Sequence, residues 1–225
     1  MKTTNTPKER PILFSGPMVR AIIEGRKTQT RRIVKPKDEP KGFWGRREYE
    51  GEERMFSRIE LAPSDARPWW EVGGINGAED HNPYGKPGDR IWVKETWKPD
   101  PSWGQSSSPT MEIQEGSNIL YRSTLPEGHA KQEFGKWRPS IFMRRWMSRI
   151  TLEVTAVRAE RLQNISTEDC REEGCGSAEI PWRADGTTSH PWVDTYKRLW
   201  ESINGPDSWA ANPWVWVVEF RKILP

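Results

Sequence analysis

Residues 15–37 read SGPMVRAIIEGRKTQTRRIVKPK, and the rest of the chain is best understood from this stretch outward. Ser15 is placed to cap a helix, Pro17 suits its first turn, and Val19, Ile22 and Ile23 form an apolar stripe. Gly25 supplies the stop. Beyond it the chain turns basic, with Arg26, Lys27, Arg31, Arg32, Lys35 and Lys37, no acid among them, and Thr28 and Thr30 between the charges. A helix leading into such a segment offers cations and hydroxyls together, as an anionic or nucleotide-like ligand requires. The plainer alternative is a solvated basic turn. If Thr28–Val34 continues as a flat strand, alternation puts Lys27, Gln29 and Arg31 on one face and Thr28, Thr30 and Arg32 on the other.

Downstream, Lys86-Pro87-Gly88-Asp89 reads as a turn into a strand over 90–97, RIWVKETW. Ile91, Val93, Glu95 and Trp97 share its more apolar face. Glu95 must therefore be paired, protonated or turned to a ligand cleft. Residues 118–123 suggest a further short strand. The segment 137–149, WRPSIFMRRWMSR, interleaves aromatics with arginines. Such a pattern either stacks on bases and pairs with phosphates, or buries Trp137, Ile141 and Trp146 with the arginines facing water. A long strand is expected over 150–162 and a short helix from Ser166, capped by Ser166 with Asp169 at the reciprocal position. Its spacing turns Cys170 inward and puts Glu173 on the same side, with Gly174 as the stop. Residues 190–204 form an amphipathic helix with Val193, Tyr196, Leu199, Trp200 and Ile203 inward. The closing strand, 214–223, WVWVVEFRKI, is apolar on both faces at first and so belongs inside a sheet.

Composition sets the limits. The 225 residues are 34% hydrophobic yet include 14 tryptophans, which predicts a modest, aromatic-rich core among long polar loops. A net charge of +3 does not by itself mark a nucleic-acid binder, so the local basic run matters more. No apolar stretch approaches the ~20 residues that span a bilayer. Cys170 and Cys175 match no zinc or redox spacing, and reduced thiols in a cytoplasmic protein are expected. His81, His129 and His190 are scattered, so neither a metal nor another cofactor is expected. Residues 1–10 read as a flexible arm. The remainder, 11–225, reads as a single domain with Trp-, Pro- and Gly-rich insertions at about 37–85 and 99–136. A strand near 55–61 is expected inside the first insertion.

Four elements together carry a family resemblance: Gly25-Arg26-Lys27-Thr28, Pro87-Gly88-Asp89, the unit 92–97 (WVKETW), and 212–217 (NPWVWV). With the unit ending in Glu173-Gly174, they make the chain resemble the ASCH superfamily, and more closely its phage and prophage type. That resemblance implies an α+β fold, a small PUA-like β-barrel with flanking helices and a basic cleft beside the first helix. It also implies binding of RNA or of a modified nucleoside or nucleotide, for which Arg26, Arg31, Arg32, Glu95, Trp97 and Arg145 are the expected contacts. One bacterial branch of the superfamily hydrolyses N(4)-acetylcytidine with a lysine, a threonine and a glutamate. These fall on Lys27, Thr30 and Glu173. In that alternative, Thr30 is the nucleophile, Lys27 its base, and Glu173 the group that orients the lysine or handles a proton. A ribonuclease is a further alternative. A flat strand would separate Lys27 from Thr30, so the trio needs a bend near Thr28-Gln29. Phage-type relatives often read His-Met-Pro-Arg-Trp where this chain has Phe142-Met143-Arg144-Arg145-Trp146.

Overall fold

In chain order, the computed structural model shows β1 (Glu9–Leu13), α1 (Gly16–Ile23), β2 (Gln29–Ile33), β3 (Gly45–Tyr49), β4 (Glu52–Phe56), β5 (Arg90–Lys94), β6 (Trp97–Pro99) and β7 (Ile119–Tyr121), followed by β8 (Thr151–Arg161), α2 (Thr167–Glu172), α3 (Pro191–Asn204) and β9 (Trp214–Ile223). The structure describes residues 6–35, the strands β3 and β4, and residues 82–100, 115, 118–125, 136–175 and 191–223.

The fold is α+β. A mixed five-stranded sheet runs in the order β1-β5-β8-β9-β2, beside two small antiparallel pairs, β3-β4 and β6-β7. β9 lies inside the sheet, as its sequence requires. Trp216, Val218 and Phe220 pack into one core with Phe14, Val19 and Ile22, while Val215 and Val217 pack into a second with Cys170, Tyr196 and Trp200. Both faces of the strand are therefore covered, which explains the near-continuous apolar run. β8 pairs with β9 through a register shift between Val154 and Ala156. Such a bulge bends a strand and increases its twist. The ladder leaves β1 and β2 as the two ends of the sheet. Even so, the Arg32 guanidinium on β2 donates to the Leu13 carbonyl on β1 at 2.6 Å, so a side chain joins the two edges.

Several expectations need correcting. Glu9 and Arg10 are not part of an arm. They open β1, which pairs in parallel with β5, and the Lys8 N–H and the Arg10 side chain both bind Asp89. The 90–97 stretch is not one strand: β5 ends at Lys94, and Trp97 starts β6 in another sheet, although Ile91, Val93, Glu95 and Trp97 are all buried as the alternation predicts. Ser15 makes no side-chain cap bond, and Ala21 rather than Ile23 completes the buried stripe of α1. Ile203 is 52% exposed instead of facing inward. β4 stops at Phe56, short of the expected 55–61 strand, and residues 57–61 lie outside the described residues, as do all three histidines.

Candidate functional site beside the first helix

Gly25 turns the chain at φ +77°, where a left-handed conformation suits glycine. The N–H groups of Arg26 and Lys27 then both donate to the Ala21 carbonyl, at 2.8 and 3.1 Å. On the other side the Thr28 N–H donates to the Glu172 carbonyl at 2.8 Å, and an isolated antiparallel bridge pairs Lys27 with Glu173. Lys27 is thus fixed between α1 and the end of α2. β2 starts only at Gln29, so strand alternation does not extend back to Lys27.

The Lys27 amine donates to both the Glu173 carboxylate and the Glu173 backbone carbonyl, each at 2.8 Å. Its side chain is 0% exposed and that of Glu173 is 3% exposed. Burial draws the lysine pKa below its ordinary value, against the opposing pull of Glu173, and Arg32 adds to the lowering. Glu173 is delivered by a well-specified helix. The Ser166 hydroxyl accepts from the Asp169 N–H, and the Asp169 carboxylate accepts from the Ser166 N–H, both at 3.0 Å. Glu173 is the C-cap, with Gly174 following at φ +79°.

Arg31 lies on the opposite face of β2 from Thr30. Its guanidinium, 0% exposed, reaches Glu160 at 2.6 Å, Asp169 at 3.0 Å and Glu173 at 3.3 Å. Gln29 donates to the Asp169 backbone and carboxylate, and Arg158 binds Asp169, Glu160 and Glu219. Burial pushes the Asp169 pKa up, but the Ser166 N–H, the Gln29 amide, the Ser166 hydroxyl and Arg31 together hold it well below the carboxylate range. A folded-state pKa below the unfolded value of about 3.9 stabilises the protein in full above that pH, and the contribution is lost progressively as pH falls from there toward the folded pKa. Asp169→Asn should therefore be less stable than wild type at neutral pH, with the gap closing below about pH 4 in urea titrations.

Thr30 pairs with Val218, whose side chain belongs to the Phe14 core, so Thr30 and Arg32 share that side of the sheet. Phe14 is the meeting point of two cations: the Lys27 amine lies 5.7 Å and the Arg32 guanidinium 5.3 Å from its ring centre. Among the described residues Arg32 pairs with no carboxylate, and its buried Nε has no hydrogen-bond partner. Lys27 and Glu173 therefore meet. Thr30 is buried but belongs to neither hydrogen-bond set: the amine's bonds go to Glu173, and the carboxylate's go to Lys27 and Arg31.

The remaining expected contacts are dispersed. Arg26 is exposed and bound to Glu24. Buried Glu95 takes two bonds from Arg149, at 2.9 and 3.1 Å, and one from the Ser123 hydroxyl, which is the paired arrangement rather than a ligand-facing acid. Trp97 is buried against Met143 and Met147 with the Arg138 guanidinium 5.2 Å from its ring. Arg145 binds Glu9 and lies over Trp92. Phe14, Glu160 and Asp169 were not foreseen as site residues. The capping box already marked Asp169 as an oriented carboxylate, whereas nothing in the local sequence marks Phe14 or Glu160.

Cys170 and Cys175 are free and buried, and burial raises their thiols to about 12 and about 11, so both stay protonated and unreactive near neutral pH. Among the described residues no group of three or more His, Cys, Asp and Glu side chains could hold a metal, and no helix is long and apolar enough to cross a membrane. No family model, no curated protein and no solved structure matches the chain.

Proposed function

We propose that the chain is an ASCH-type, PUA-like protein acting on a modified nucleoside in the bacterial cytoplasm, in a phage or prophage setting. Its chemistry on this reading is amide hydrolysis, removal of the acyl group from an N(4)-acylated cytidine. One observation carries the proposal: a lysine with no exposed side-chain surface, held by one carboxylate, with its pKa lowered by burial. A surface lysine cannot act as a base near neutral pH; a desolvated one can. The side-chain tie between the two sheet edges supports the PUA-like reading, since it brings β1 and β2 together as a closing barrel requires.

In the proposed reaction Lys27 passes a proton to the Glu173 carboxylate that holds it, and the freed amine takes the Thr30 hydroxyl proton as that oxygen attacks the acyl carbonyl. The C–N bond breaks, and the proton passes through Lys27, held by Glu173, to the departing N4 amine. Water then cleaves the threonyl ester, releasing the carboxylic acid and restoring the hydroxyl. On this reading Arg32, whose buried Nε has no hydrogen-bond partner, stabilises the oxyanion. The reaction requires the Thr30 hydroxyl to come within hydrogen-bond reach of the Lys27 amine when substrate is bound.

The test is release of cytidine from N(4)-acetylcytidine, followed by chromatography. Lys27→Ala should lower the rate by about 10²–10⁴-fold, the usual worth of a general base. Equal rates in the two proteins would reject the assignment. A second reading, binding of RNA or a modified nucleotide without turnover, is favoured by the absence of a Lys27–Thr30 hydrogen bond. Saturable binding with no cytidine release would select it.

A further inference from the structure

The two most exposed large apolar side chains among the described residues are neighbours: Ile141 at 62% and Phe142 at 67%. They stand on a 3-10 turn, Ser140–Phe142, that is firmly built. The Phe142 N–H donates to Pro139 and the Met143 N–H to Ser140, at 3.1 and 3.0 Å, and the Lys94 amine donates to the Ile141 carbonyl at 2.6 Å. Met143 follows at once into the interior, where its sulfur accepts the Glu95 N–H. An aromatic ring held outward by a fixed turn whose next residue is buried is a presented surface, and it invites the question of what covers it.

Charge answers that question. Residues 136–152 contain Lys136, Arg138, Arg144, Arg145 and Arg149 and no acid. Arg149 is engaged with Glu95 and Arg145 with Glu9. Arg144 is exposed and pairs with no carboxylate among the described residues, and Lys94 meets only the Ile141 carbonyl and the Trp92 ring, at 5.4 Å. An apolar protein partner would cover the phenyl ring but leave these cations desolvated and unpaired. A strand of stacked bases and phosphates satisfies both.

We propose that the Ile141–Phe142 ledge is a stacking platform for single-stranded RNA, with a base on the Phe142 ring and Arg144 and Lys94 holding the flanking phosphates. The platform does not rest on the function proposed above.

Fluorescence anisotropy with a labelled single-stranded RNA of about ten nucleotides, within the usual site sizes for such surfaces, reads the platform directly. Phe142→Ala should weaken binding by roughly 10-fold and Phe142→Trp should preserve it, as expected for loss and retention of one stacked base. Arg144→Ala should lower the slope of log affinity against log salt by about 0.7, one phosphate contact on a single strand. Both substituted side chains point into water, so folding is not at risk. Absence of RNA binding by the wild-type protein, or Phe142→Ala and Arg144→Ala proteins that bind as wild type does, would overturn the proposal. Anisotropy reads binding and the acetylcytidine assay reads cleavage, so each can fail alone.

Discussion

Glu173→Ala is expected to destabilise the protein by about 3–5 kcal/mol, and by more than Lys27→Met does. The asymmetry follows from who is left behind. Glu173 is shared by two fully buried cations, Lys27 at 2.8 Å and Arg31 at 3.3 Å. Without it Lys27 keeps only the backbone carbonyl of residue 173, and no other carboxylate among the described residues bonds its buried ammonium. Arg31 retains Glu160 and Asp169 and suffers less. Removal of Lys27 instead leaves the carboxylate bound to Arg31, so the remaining charge stays compensated, and the methionine refills the stem's volume. Urea denaturation of the two variants beside wild type measures the difference. A Lys27→Met protein as unstable as Glu173→Ala would show that Arg31 does not compensate the carboxylate.

Gly174→Ala should cost about 2–5 kcal/mol, the sum of a left-handed backbone for a residue with a Cβ and of overpacking. At φ +79° an added methyl would stand 2.9 Å from the Cβ atoms of both Ala21 and Lys27, closer than such contacts allow. Either α1 or Lys27 must move, so the site is disturbed along with the fold. Gly25→Ala is the control. Its φ is +77°, but its added Cβ would meet nothing within 4 Å, so it bears only the conformational part, about 1–2 kcal/mol. Thermal melts that ranked the two alike would remove the close approach of α1, Lys27 and Gly174 from the account.

These two residues also mark how far the sequence could be read. Gly174 was legible as a helix stop because that role is local; its contact with Ala21 and Lys27 joins distant segments and leaves no local trace. β9 was legible because both its faces are apolar, and α2 because its capping box lies within four residues. Arg31 shows the opposite case. Among consecutive cations it reads as surface, yet it is buried, since its three acids arrive from positions 160, 169 and 173. β1 escaped notice for a related reason: it is five residues long, carries Pro11, which an edge strand tolerates, and its partner β5 begins at Arg90. Ile141 was misjudged as a candidate core anchor because a 3-10 turn has a period that neither helix nor strand alternation describes.

The Lys27–Glu173 pair spans 146 positions of the chain. At ordinary rates of synthesis, about 5–20 residues per second, roughly 7–30 s pass between the making of the lysine and the making of its carboxylate. For that interval Lys27 and Arg31 lack the acids that hold them in the finished fold. Only when the last third of the chain arrives do Lys27 and Arg31 leave water. A nascent or truncated chain lacking residues 160–173 would keep Lys27 and Arg31 without the carboxylates that compensate them in the finished protein.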